Sequence, residues 1–212
     1  MQNLNQSVQR LARIAGALYL VNIIAGAFAI GYVSSVAPTI HANEALFRAG
    51  IAAHLIVTLT NPPLTMIFYE LFKVVNRRLA LMAAFFSLVA TGIEGASLFV
   101  QVEHPIVAAY DVYMAFFGFE LMTIGYLVYR SNFLPRAIGL LLVVDGISYL
   151  VYCFVDILAP GLASHLVPWV QLPILAGEGS LTVWLLVAGV NATRWTELAR
   201  APSTSLAPVT SS

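Results

Sequence analysis

Long apolar runs with almost no charge inside them limit this chain more than any other feature. Six such runs follow one another, at about 14–36, 47–72, 79–101, 106–129, 135–158 and 167–190. Each exceeds the ~20 residues of helix that cross a bilayer. Only 9% of the 212 residues are charged and 60% are hydrophobic, whereas a soluble domain carries roughly 25% charged residues. Within lipid the backbone has no water to bond to, so each run is expected to be helical. The expected fold is all-α: a polytopic bundle of six transmembrane helices over residues 13–192. A short segment at 1–12 precedes it, and a tail at 193–212, with Pro202, Pro208 and several Ser and Thr, reads as disordered. The first run is too long for the roughly 7–15-residue core of a signal peptide, despite the cleavage-like Ser35-Val36-Ala37.

Orientation follows from the basic residues. Arg10 and Arg13 precede the first run, Lys73, Arg77 and Arg78 separate the second and third, Arg130 and Arg136 the fourth and fifth, and Arg194 and Arg200 follow the sixth. Arg48 alone falls on the other side. This positive-inside bias predicts both termini in the cytoplasm.

Several function classes drop out. The formal net charge is zero, which gives no basis for nucleic-acid binding. The single cysteine, Cys153, forbids an internal disulfide and any CxxC site. Metalloprotease, hydrolase and phosphate-loop motifs are absent. His41, His104 and His165 fall in loops or at span ends, with spacing too irregular for a zinc site. No catalytic set, cofactor or metal is read from the chain.

The polar residues inside the spans are the informative ones. His54, Thr58, Asn61 and Thr65 share one helical face, as do Ser87, Thr91, Glu94 and Gln101. Asp145, Tyr149, Tyr152 and Asp156 form another such stripe; Gln171, Glu178 and Thr182 a fourth; Tyr113 pairs with Glu120, and Tyr19 with Asn22. Facing lipid would be costly, so these stripes should point inward. Ser, Thr and Asn at such positions often do no more than join helices by hydrogen bonds of ~1 kcal/mol. Glu94, Glu120, Asp145 and Glu178 are different, because no Lys or Arg lies in the core of any span to pair with them. Such carboxyls are held as neutral acids or share their site with a cation. The candidate ion or substrate pathway is therefore Glu178, Asp145, Glu120, Glu94, His54, Asn22 and Asn61. Asn61-Pro62-Pro63 is expected to interrupt its helix, and Gly177-Glu178-Gly179 follows Pro173. Three functions fit: a small transporter or an ion- or proton-coupled membrane protein; a non-catalytic membrane subunit or scaffold; and an intramembrane enzyme. The partners expected are the lipid bilayer and protons, cations or a small solute. Ala12 and Gly16 allow close helix packing within or between chains, so the oligomeric state stays open.

One family resemblance runs through residues 10–192. It is carried by Arg13-Ile14-Ala15-Gly16 with Tyr19-Leu20, by Phe47-Arg48 with Gly50-Ile51-Ala52, and by Val75-Asn76-Arg77 and Gly125-Tyr126-Leu127. Tyr129-Arg130-Ser131 with Phe133-Leu134-Pro135-Arg136, and Gly177-Glu178 with Trp184-Leu185-Leu186, complete it. The pattern resembles the membrane family called domain of unknown function 4386. That resemblance implies a multi-pass fold and no assigned activity. His54 and Asn61 stand where the family pattern is usually acidic, and Glu120 where it is usually His, an exchange that hints at contact between His54 and Glu120.

Overall fold

A computed structural model describes residues 2–29, 44–103 and 109–201. All regular structure among them is helical: α1 (Gln2–Gly26), α2 (Glu44–Glu103), α3 (Ala109–Ser131), α4 (Arg136–Leu158), α5 (Pro160–Val187) and α6 (Ala192–Arg200). The first five are long and apolar enough to cross a membrane.

α2 is not one rod. As a straight helix, 60 residues would span roughly 90 Å at 1.5 Å per residue. Yet His54 Nε2 lies 3.0 Å from Glu94 Oε1, and the hydroxyls of Thr65 and Ser87 are 2.6 Å apart. Both pairs are centred near Asn76, whose φ of −157° and ψ of 105° are non-helical. The chain therefore reverses there into two antiparallel arms. Asn76 begins the second arm as its cap, its Oδ1 accepting from the backbone N–H groups of Arg78 and Leu79, each at 3.1 Å. The break expected at Asn61-Pro62-Pro63 does not occur. Helical geometry runs through both prolines, which sit on the exposed side. Membrane helices tolerate proline without breaking because their surroundings and small local adjustments re-satisfy the freed backbone groups.

Three further expectations change. The loop read between spans five and six is a single residue, Ala159, and Pro160 starts α5 at the position where a missing N–H costs nothing. His165 consequently lies on a helix. From Gln2 onward the segment read as preceding the bundle is already part of α1, with Val8 and Ala12 buried. The tail expected to be disordered from residue 193 is helical up to Arg200. Asn191 caps α6 through Arg194 N, Trp195 Nε1 donates to the Leu71 carbonyl at 2.9 Å, and Thr196 hydrogen-bonds Asn5. Residues 202–212 lie outside the described residues.

From α1 to α5 each helix packs on the next, and α5 closes back on α1, so these five form a ring, with α6 against α1 and α2. α3 and α4 approach most intimately. Gly118 faces Gly146 and Gly125 faces Gly139, at a spacing of seven on each helix, and a Cβ at any of the four would lie within 2.7 Å of the opposite carbonyl oxygen. Small residues let membrane helices come this close. Gly16 serves α1 in the same way against Leu186, within the chain.

Among the described residues the larger apolar core fills one end of the ring, and a small cluster of Ala25, Ala29, Ala53 and Val57 lies toward the other. Ala15, Leu71, Phe72, Leu127, Val128, Phe133, Leu142, Leu185 and their neighbours form one apolar core. Gln9 ties α1 to both the N–H and the carbonyl of Val190. Asn191 N donates to the Phe133 carbonyl. The Asn76 reversal, the Ser131–Pro135 turn, the start of α1 and helix α6 thus share this end, and nine of the ten basic residues lie on those segments. The outer surface is an apolar belt: Leu59, Met66, Phe85, Leu172 and Val183 are all exposed, while Glu94, Asp145 and Glu178 are buried. That inversion of the soluble pattern is expected when the surrounding solvent is lipid.

Candidate functional site

Beyond the apolar core the ring encloses a cavity of about 410 Å³, lined by residues from α1, both arms of α2, α3, α4 and α5. Its floor is set by Tyr19, Phe68, Glu120, Ile124 and Leu181, and its wall rises through Asn22, Asn61, Glu94, Tyr113 and Gln171. Every contributing helix turns its polar stripe inward, because the opposite face meets lipid.

Of the seven candidate residues, five line this cavity: Glu178, Glu120, Glu94, Asn22 and Asn61. Two lie behind its wall. His54 pairs with Glu94 and sets its orientation. Glu120, the exchange partner suggested by the family pattern, lines the cavity. Asp145 has no solvent exposure and packs against Gly177, where any Cβ would lie 2.5 Å from Asp145 Oδ2. Gly177 is therefore glycine because a carboxyl occupies its side-chain space, and the neighbour admitted there is Asp145.

The polar groups fall into three sets. Asn22 Nδ2 donates to Asn61 Oδ1 at 2.6 Å, joining α1 to α2. The Thr65–Ser87 pair joins the two arms of α2, and Ser87 also hydrogen-bonds Glu120 on α3. Glu178 accepts from the Tyr149 hydroxyl at 3.0 Å and hydrogen-bonds Tyr19, so α4, α5 and α1 meet on one carboxyl. These bonds leave oxygens over. Glu94 Oε2 and Glu120 Oε2 are buried without a hydrogen-bond partner among the described residues, while Asp145 meets the backbone N–H of Glu178. No Lys or Arg is among the lining residues. A buried acceptor without a donor costs about 1–3 kcal/mol.

Rings complete the wall. Tyr113 stacks on Phe117 with centroids 5.6 Å apart, and Tyr149 meets Phe117 edge-on at 5.2 Å and 82°. Tyr19 meets Phe68 edge-on at 5.8 Å. The stripes held Tyr19, Tyr113 and Tyr149 but missed Phe68 and Phe117, which read as ordinary core residues. The signal available was their one-turn spacing from Thr65, Tyr113 and Glu120.

Among the described residues no three His, Cys, Asp or Glu side chains converge to hold a metal ion. His41 and His104 lie outside the described residues.

Comparison with known proteins gives a family and little else. The model for a domain of unknown function, DUF4386, matches residues 14–107 and 96–189. An uncharacterised protein from Archaeoglobus fulgidus is 24% identical over 126 residues, 58% of this chain and 72% of that one. No solved structure matches. Helices apolar enough to span a membrane, a sealed basic end and a carboxyl-lined ring thus come with a family match across nearly the whole described chain: the protein belongs to the DUF4386 family.

Proposed function

We propose that this protein crosses the cell membrane six times, with both termini in the cytoplasm, and binds a small solute, cation or proton in its cavity as a small transporter or ion-coupled membrane protein. The count of six takes the two antiparallel arms of α2 as separate crossings. The orientation rests on the basic residues gathered at the sealed end. The observation that carries the binding role is the cavity itself: about 410 Å³, with Glu94, Glu120 and Glu178 on its surface and no basic residue among those lining it. Pockets that take small molecules are concave, mostly apolar, of roughly 300–1,000 Å³, with a few placed polar groups. A bundle whose carboxyls served only to lock helices would close around them and hydrogen-bond them fully. Here, among the described residues, a cavity remains beside the carboxyls and oxygens are left over.

A second reading, a non-catalytic subunit or scaffold, draws on the Asn22–Asn61 and Thr65–Ser87 bonds, which do lock helices. Thermal unfolding of the purified protein across a panel of inorganic cations, organic amines, neutral solutes and pH values separates the two. A binding cavity gives at least one class that raises the midpoint with saturation. A flat response across the panel, with Glu120→Gln and Glu178→Gln behaving as wild type, leaves the scaffold reading.

A further inference from the structure

We propose that the occupant of this cavity is an organic cation, a protonated or quaternary amine with an apolar body, rather than a hydrated inorganic ion. The proposal rests on the binding role given above and narrows it to one chemical class. Three features point the same way. The first is electrostatic. Glu120 and Glu178 both line the cavity, and Glu120 Oε2 is buried without a partner. A positive group between them would supply what no Lys or Arg on the wall supplies.

The second feature is the aromatic corner. Phe117 lies between Tyr113, stacked on it, and Tyr149, perpendicular to it. All three line the cavity next to Glu120 and Glu178. Ring faces attract ammonium groups and do so best when water is excluded, which is how quaternary amines are recognised. The third feature is the rest of the lining. Ile23, Val57, Met114, Ile174 and Leu175 are apolar, and so suited to a carbon skeleton and unsuited to a hydration shell. Magnesium and calcium require about six to eight oxygen ligands. No three metal-ligating side chains converge among the described residues.

The test uses the full-length protein in nanodiscs of phosphatidylglycerol, so that no headgroup carries a quaternary amine. Binding of benzyltrimethylammonium is compared with that of neopentylbenzene, its uncharged isostere with carbon in place of nitrogen, at matched free concentration. The cation should bind at least about tenfold tighter than the hydrocarbon. Glu120→Gln should lose about tenfold or more for the cation and little for the hydrocarbon. Phe117→Leu keeps both carboxyls and removes the ring face, and should weaken the cation several-fold; it serves equally if Glu120→Gln fails to fold. Equal affinity for the two probes, or folded variants that bind the cation like wild type, overturns the proposal. Saturable stabilisation by sodium, potassium or magnesium without any by the organic cation overturns it too, while leaving the cavity a binding site. Failure of every probe, with both variants like wild type, removes both readings.

Discussion

The sharpest structural prediction concerns Gly139. A Cβ placed there would lie 2.6 Å from the Gly125 carbonyl oxygen and 2.7 Å from Tyr129 N, with Tyr129 Cα at 3.1 Å. All three are backbone atoms of α3, so no side chain can swing aside; α3 and α4 have to separate. Separation loosens the companion contact at Gly118–Gly146 seven residues along. Overpacking of this kind costs about 1–3 kcal/mol, and the better helix propensity of Ala returns up to ~1 kcal/mol. Gly139→Ala should therefore destabilise by about 1–2 kcal/mol, which lowers the unfolding midpoint by roughly 2–8 °C in a chain of this size. Gly92→Ala is the control, because it is exposed on α2 and a Cβ there meets nothing within 4 Å. It carries the same propensity gain without the clash, so its midpoint should equal or exceed that of wild type. Thermal unfolding of the purified proteins in one detergent measures both. A Gly139→Ala midpoint at or above wild type, or equal shifts in the two variants, would refute backbone contact as the reason for these glycines.

Other consequences are open to equally simple measurement. Asn22→Ala and Asn61→Ala should couple by roughly 0.6–2 kcal/mol in a double-mutant cycle, as expected for one interhelical hydrogen bond within a membrane, and strict additivity would show that the bond contributes nothing. His54→Leu leaves the buried Glu94 without its partner and should cost about 1–3 kcal/mol; adding Glu94→Leu should recover most of that, and a double variant no more stable than the single one would contradict this. In intact cells an impermeant thiol reagent should label Glu44→Cys and spare Arg200→Cys until the membrane is opened. Labelling of both from outside would exclude six crossings.

Much of this arrangement was legible from residue spacing. Asn61, Glu94, Glu120 and Glu178, each from a different stripe, do line one cavity, as expected where lipid outside leaves a polar helix face only one place to go. The hairpin was legible too, since Asn76 sits between two apolar runs beside three basic residues. Spacing along one helix does not say which residues of another helix it will meet. Asp145 lies on a stripe like the others, yet it is turned into the α4–α5 contact at Gly177. His54 finds Glu94 because the reversal at Asn76 places them level, a register that depends on where the turn falls. The prolines misled because a membrane helix can absorb lost backbone hydrogen bonds that would end a helix in water. Helix α6 was missed because nine residues with several charges look like tail. Its Trp195 hydrogen bond to the Leu71 carbonyl is a tertiary contact that no local pattern announces.

Whether the buried carboxyls act on something from outside the chain comes down to Glu178, where three helices meet. Glu178→Gln keeps the size of the side chain, an acceptor for Tyr149 and a donor, but removes the capacity to carry charge. The decisive comparison is the unfolding midpoint of wild type and Glu178→Gln, each across pH and across increasing concentrations of cations. A cavity that binds a proton or cation predicts a midpoint that depends on those variables in wild type, and a folded Gln variant in which the dependence is lost. A well-folded Glu178→Gln protein with the same pH and cation response as wild type would contradict it.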